Sequence, residues 1–312
     1  MHISISLTSS LHRVTRAVLF GLAWTAAASC AAVAPFPALA ADTAAVITPR
    51  VVYGSDNRKE VYQLSAVQKK LAASTVALVN GDPSLAGKPI TLPLKPDLQT
   101  EEKLCDGQRF AKQPVPAFCS GALIAPDVIL TAGHCVRVAG SREGVPLNKM
   151  LFVFDFDMQS PTVVSIGLPG RNVYAAKSLI KRVETNTVDY ALIRLDRKVV
   201  GRTPLKVAPR ESLFVGKSLF VIGHPSGLPT KLANHAAISK LGTTTFVSNL
   251  DTFAGSSGSP VFSVLNNIVG VLDAGQKDYV RKGNCNVVNT LPNGKGGEQA
   301  TRASALSLGA LR

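Results

Sequence analysis

Apolar positions along the chain come in short runs or alternate with polar ones, and Gly, Pro, Asn and Asp break them at close intervals. The clearest runs are "STVALV" (74–79), "GALIAPDVILTAG" (121–133), "LFVFDF" (151–156), "DYALIRLD" (189–196), "SLFVIGHP" (218–225), "PVFSVL" (260–265) and "IVGVLD" (268–273). They are too short for buried helices and rich in Val, Ile and Phe, the residues that suit a pleated surface. The pattern predicts an all-β protein of antiparallel sheets closed into barrels or sandwiches. One peripheral helix is predicted around "YQLSAVQKKLAAS", where Val61, Leu64, Val67 and Leu71 recur at helical intervals. "NGDPSLAGKPITLPLKPDLQTEEK" (80–103) and the polar tail "PNGKGGEQATR" (292–302) read as loops. Pro and basic residues in "LDRKVVGRTPLKVAPRES" place a boundary near residue 205, with one barrel over 71–205 and a second over 206–312.

The front of the chain has a different pattern. Arg13 and Arg16 precede an apolar stretch from Ala17, and small residues follow at Ala38 and Ala40. That is the layout of a secretory signal peptide (1–40), cut after Ala40. Cys30 in "AAASC" is a rival lipidation site, but Ala27 stands where a lipidated cysteine usually has leucine three residues before it. No segment has the roughly 18 uninterrupted apolar residues of a spanning helix, so the expectation is a secreted or periplasmic protein without stable membrane insertion.

Removing residues 1–40 takes away two arginines and no acid, so the formal charge falls from +14 to +12 (32 basic minus 20 acidic). Such a basic exported chain is expected to be attracted to anionic envelope surfaces. No basic and aromatic recognition module is visible, so no nucleic-acid partner is expected. Cys105, Cys119, Cys135 and Cys285 remain, an even count that favours disulfides in an exported protein. Their spacing lacks the close Cys or His pairs of a zinc site, and neither metal nor organic cofactor is expected.

Three separated stretches carry the chemistry. "FCSGALIAPDVILTAGHC" (118–135) puts His134 beside Cys135, "VDYALIRL" puts Asp189 at the head of an apolar strand, and "DTFAGSSGSP" (251–260) holds Ser256, Ser257 and Ser259 among two glycines and a proline. By composition alone the last is an ordinary turn. Together, in the order His, Asp, Ser, the three resemble the trypsin/chymotrypsin family. "VVYGSDNRKEV" (51–61) and "GHPSGLPTKLA" (223–233) are similar to the bacterial branch that includes the glutamyl endopeptidases.

The resemblance implies two antiparallel Greek-key β-barrels with the active site in the cleft between them. It implies a serine endopeptidase acting on protein or peptide substrates, with His134 as base, Asp189 orienting it and Ser257 as nucleophile. Gly255 and Ser257 would supply the oxyanion-hole N–H groups, worth about 3 kcal/mol per donor. It also implies a Cys119–Cys135 disulfide, which leaves Cys105 to pair with Cys285. The other histidines after the signal, His224 and His235, are expected at turn or sheet positions.

Two departures from the family stand out. Many members carry aspartate directly before the nucleophile, to pair with the amine freed on activation, and this chain has Ser256. A second cut, Arg50–Val51, would release a short propeptide (41–50), and its new amine would lack that partner. Where glutamyl-specific relatives carry a substrate-binding histidine, the chain has Leu272, which argues against glutamate preference. Asp251 falls where trypsin-like enzymes place the carboxylate that selects Arg or Lys, although an aspartate there also serves as a turn residue. Asp273, beside Leu272, adds a second candidate negative charge. The alternative to an enzyme is a binding protein that kept the fold without activity. A third reading is an esterase using the same triad; the α/β-hydrolase version would need the order Ser, Asp, His and a Gly-x-Ser-x-Gly elbow between strand and helix, which the chain lacks.

Overall fold

The structure, a computed structural model, describes residues 51–141 and 144–311. The expected signal peptide (1–40), with Cys30 and Ala40, and the segment ending at Arg50 lie outside the described residues. Among those described, no helix is long and apolar enough to cross a membrane.

Six strands close the first barrel: β1 (Thr75–Asn80), β2 (Ala117–Ala125), β3 (Val128–Thr131), β4 (Met150–Val153), β5 (Val173–Glu184) and β6 (Asp189–Leu195). Six more form the second: β7 (Ser218–Gly223), β8 (Lys231–Leu241), β9 (Thr245–Ser248), β10 (Pro260–Ser263), β11 (Ile268–Ala274) and β12 (Glu298–Arg302), with β7 paired to β8 to close it. Every pairing within the two barrels is antiparallel. In each barrel the fourth strand returns beside the first, a Greek key, and the neighbour order is the same in both.

The unbroken apolar runs have a physical cause: strands here bury both faces. Within β1, Val76 and Leu78 fill the barrel interior with Leu123, Ile129, Phe152 and Ile193. Ala77 and Val79 point the other way, against Leu92, Phe156 and Leu168. The barrels also meet through outward faces. Leu130 and Leu192 pack on Val271, Ala303 and Leu306, while Ala122 and Leu205 join Phe220, Ile222 and Phe262. The rings of Phe220 and Phe262 stack at 4.9 Å. Both disulfides form, Cys119–Cys135 and Cys105–Cys285.

Three expectations are corrected. The helix α1 covers only Ala66–Ala72, because Ser65 caps it: its hydroxyl accepts from Gln68 N and the Gln68 side chain returns to Ser65 N. Val61 lies in a separate 3₁₀ turn, Val61–Gln63, that ends before Leu64, and Val67 is exposed. The stretch 80–103 is not only loop, since it holds a short strand at Ile90–Thr91 and a helical turn at Leu98–Glu102. The polar tail is not loop at all over Glu298–Arg302, which is β12, pairing with β9 and β11.

A strand as polar as "EQATR" can be buried because its side chains are hydrogen-bonded. The Glu298 carboxylate accepts from Tyr53 Oη (3.2 Å), Gln276 N (3.1 Å) and Thr252 Oγ1. Glu298→Ala would leave those three donors without an acceptor in the interior. It is expected to cost roughly 3 kcal/mol, read as a lower midpoint in equilibrium denaturation; a change under about 0.5 kcal/mol, the range of ordinary surface substitutions, would show that the carboxylate does not hold the strand.

Candidate active site

His134 follows β3 after Ala132 and Gly133, and Gly133 is what allows a carboxylate to close on the turn. A Cβ there would lie 2.4 Å from the Val183 carbonyl oxygen and 2.7 Å from Asp189 Oδ1. Asp189 Oδ1 accepts from Gly133 N at 2.5 Å and His134 N at 3.1 Å, while Oδ2 lies 2.5 Å from His134 Nδ1. Arg182 on β5 donates from Nε to the Gly133 carbonyl at 2.8 Å, holding the turn from the other side. Asp189 itself opens β6, and its N–H donates to Thr301 Oγ1 at 2.9 Å.

The serine loop is held in a tight turn. Gly255 and Gly258 have φ of +85° and +83°, conformations that side chains other than glycine's rarely adopt. Space is equally limiting at Gly258, where a Cβ would sit 2.2 Å from Ser120 O and 2.8 Å from Ala132 N. The loop therefore packs directly against the end of β3 that leads to His134. Ser257 is buried, and its carbonyl accepts from Ser120 N at 2.8 Å. The Ser120 hydroxyl donates to Gly255 O at 2.8 Å and accepts from His224 N at 2.9 Å. Ser256 N donates to Phe253 O, and Ser259 N to Ser256 O.

The candidate specificity residues are placed as follows. Leu272 is buried, its carbonyl accepting from Gly258 N. Asp273 directs its carboxylate to β12, accepting from Thr301 Oγ1 at 2.6 Å and Gln299 Nε2 at 3.1 Å. Burial pushes its pKa up to about 6, against the pull of those two side chains. The nearby Asp189 carboxylate pushes the same way, and His134 opposes it. Asp251 is also buried, and its two oxygens accept from Tyr53 N (2.8 Å) and Asn57 N (3.0 Å); burial raises it to about 6 despite those donors.

His224 caps the end of β7, with Nδ1 donating to Leu228 O at 3.0 Å; burial, the largest cause, pushes its pKa down to about 4. His235 lies within β8 at φ +59°. Cys119, His134 and Cys135 bring ligand atoms within 4.8 Å of one another, but the two sulfurs are bonded to each other and offer no thiolate.

Sequence reasoning did not single out Ser120, Arg182 or Thr301. Ser120 sits inside the quoted cysteine motif, so its position was visible but its role was not. Arg182 and Thr301 carry no local signal.

A family model described as a trypsin-like peptidase domain matches residues 119–271. No curated protein sequence matches the chain. Among solved structures, the chain is similar to a Glu endopeptidase in complex with MPD, at 19% identity over 84% of this chain and 97% of that one, with a TM-score of 0.50. Human heparin binding protein (15% identity, 82% and 92% covered) has a TM-score of 0.45. A serine endoprotease from Yersinia pestis (14%, 67% and 57%) has 0.41. At these identities the likeness is one of fold.

Asp273 gives a pH test. Its folded pKa of about 6 lies above the ordinary aspartate value, so the folded chain holds that proton more tightly and loses stability as pH rises through the window from about 4 to about 6. Asp273→Asn removes the ionisation. The variant is expected to gain in melting temperature relative to the parent at pH 7.5, and to gain less or nothing at pH 4.5. An equal difference at both pH values would show that Asp273 does not titrate in that window.

Proposed function

The chain carries a trypsin-like serine-protease-family domain, and on that premise we propose that it is an exported serine endopeptidase. Ser257 attacks the peptide carbonyl, His134 takes the serine proton and returns it to the leaving amine, and water then hydrolyses the acyl-enzyme. The N–H groups of Gly255 and Ser257 receive the developing oxyanion. The observation that carries this proposal is the 2.5 Å contact between His134 Nδ1 and Asp189 Oδ2, with the same carboxylate fixed by two backbone N–H groups. A proton held on Nδ1 leaves Nε2 as the basic atom.

A binding protein of the same fold without hydrolysis is the second reading. It is favoured by Ser256, which offers no carboxylate to order the loop through a freed amine. A fluorophosphonate probe separates the two, because it needs nucleophile, base and oxyanion hole together. We expect labelling of the parent, loss of labelling in Ser257→Ala with a fall in proteolysis of at least about 10³-fold, and retained labelling in Ser256→Ala and Ser259→Ala. A parent protein that binds peptides yet takes no probe would establish the second reading.

Asp251 is the sequence's candidate for a selector of Arg or Lys. Both its oxygens are occupied by backbone N–H groups of the 53–57 segment, which supports a structural anchor over a selector of Arg or Lys. Asp251→Ser is therefore expected to lower cleavage of a mixed peptide library after every residue type alike. A loss confined to sites after Arg and Lys would make Asp251 the selector instead.

A further inference from the structure

We propose that the two adjoining turns 211–217 and 263–267 of the second barrel form a docking surface for an anionic lipid bilayer. Four large apolar side chains stand out from them: Phe214 is 57% exposed, Val215 61%, Val264 67% and Leu265 66%. Single exposed apolar residues are ordinary, but four grouped on neighbouring tips are not.

The turns are held together as one rigid unit. Strand β7, which leaves the first turn, pairs with β10, which enters the second, with Leu219 opposite Ser263. Glu211 bridges them, its Oε2 accepting from Asn267 Nδ2 at 3.0 Å and its Oε1 lying 3.1 Å from Lys217 Nζ. Within the first turn Lys217 N donates to Phe214 O, and Gly216 N donates to Ile238 O on β8. The apolar tips are thus presented in a fixed arrangement, which lowers the ordering cost of inserting them.

The charge around them selects the partner. From residue 197 to residue 250 the sequence has eight Lys and Arg against one acid, Glu211; Arg197, Arg202, Lys217 and Lys231 pair with Asp196, Asp155, Glu211 and Glu60. Of the others, Lys206, Arg210 and Lys240 are exposed. The backbone places Lys206 beside the exit of the second turn, where Ile268 N donates to its carbonyl, while Arg210 directly precedes Glu211. Lys240 follows Ile238 by two residues on β8. Exposed apolar side chains with exposed cations on the adjoining backbone match acyl chains beneath anionic headgroups. The surface is independent of His134 and Ser257, so it stands whether or not the protein is an enzyme.

The test is co-sedimentation of the purified protein with vesicles of phosphatidylglycerol and phosphatidylethanolamine, against vesicles of phosphatidylcholine alone. We expect binding to the first, much weaker binding to the second, and loss of binding as salt is raised. Phe214→Ser with Leu265→Ser should weaken binding at least about tenfold at an unchanged melting temperature, since both side chains are exposed. Lys206→Gln with Arg210→Gln should weaken it roughly fivefold per charge. Equal binding by parent and both variants, or no binding by the parent, would overturn the proposal. So would a parent dimer that the Phe214 and Leu265 substitutions dissociate while vesicle binding stays absent, which would make the tips a contact between two copies of the chain.

Discussion

The backbone N–H of Ser120 donates to the carbonyl of Ser257, and the Ser120 hydroxyl donates to the carbonyl of Gly255, both at 2.8 Å. Strand β2 of the first barrel thereby holds the serine loop of the second. The arrangement at the site depends on that junction, because the groups to be aligned come from different barrels. Gly258 is its steric counterpart: only a residue without a side chain lets the loop lie against β2 and β3. The Cys119–Cys135 disulfide brackets the same place, one sulfur beside Ser120 and the other beside His134. Barrel packing through Leu130, Leu192 and Val271 supplies cohesion; the Ser120 bonds supply register.

Several carboxylates lie in the interior of this basic chain. Asp189, Asp273, Asp251 and Glu298 each sit in the interior or at its edge, and each is met by hydrogen-bond donors. Thr301 links two of them, accepting from Asp189 N and donating to Asp273. Hydrogen bonds of this kind offset the desolvation of a carboxylate without cancelling it. That is why Asp251 and Asp273 both titrate upward, to about 6, although both are well bonded.

The segment that opens the described chain belongs to this interior. Tyr53 and Asn57 donate to Asp251, Tyr53 Oη donates to Glu298, and Arg58 is buried beside Asp56 with the Phe253 ring 4.0 Å from its guanidinium carbon. Lys231 pairs with Glu60 at 2.8 Å, and burial lowers its pKa to about 8. Residues 53–60 thus support the stretch 251–253 that leads into the serine loop. Removing one member of such a buried pair leaves the other uncompensated, typically at a cost of about 3–5 kcal/mol.

Sequence by itself determined the elements whose signal is local. Apolar runs in strands buried on both faces marked most of both barrels, and the residues flanking His134, Asp189 and Ser257 marked the candidate site, because a tight turn needs its glycines within a few positions of the residue it presents. Tertiary structure alone decided the rest. "EQATR" has no apolar period, and it is a barrel strand only because Tyr53, Thr252 and Gln276 satisfy Glu298 across intervals of 22 to 245 residues. Asp273 adjoins the site by sequence but faces Thr301 in space, and Asp251 is claimed by an N-terminal segment nearly 200 positions away. A polar side chain reads the same in sequence whether water or a distant backbone N–H satisfies it, and only the closed barrels settle which partner it meets.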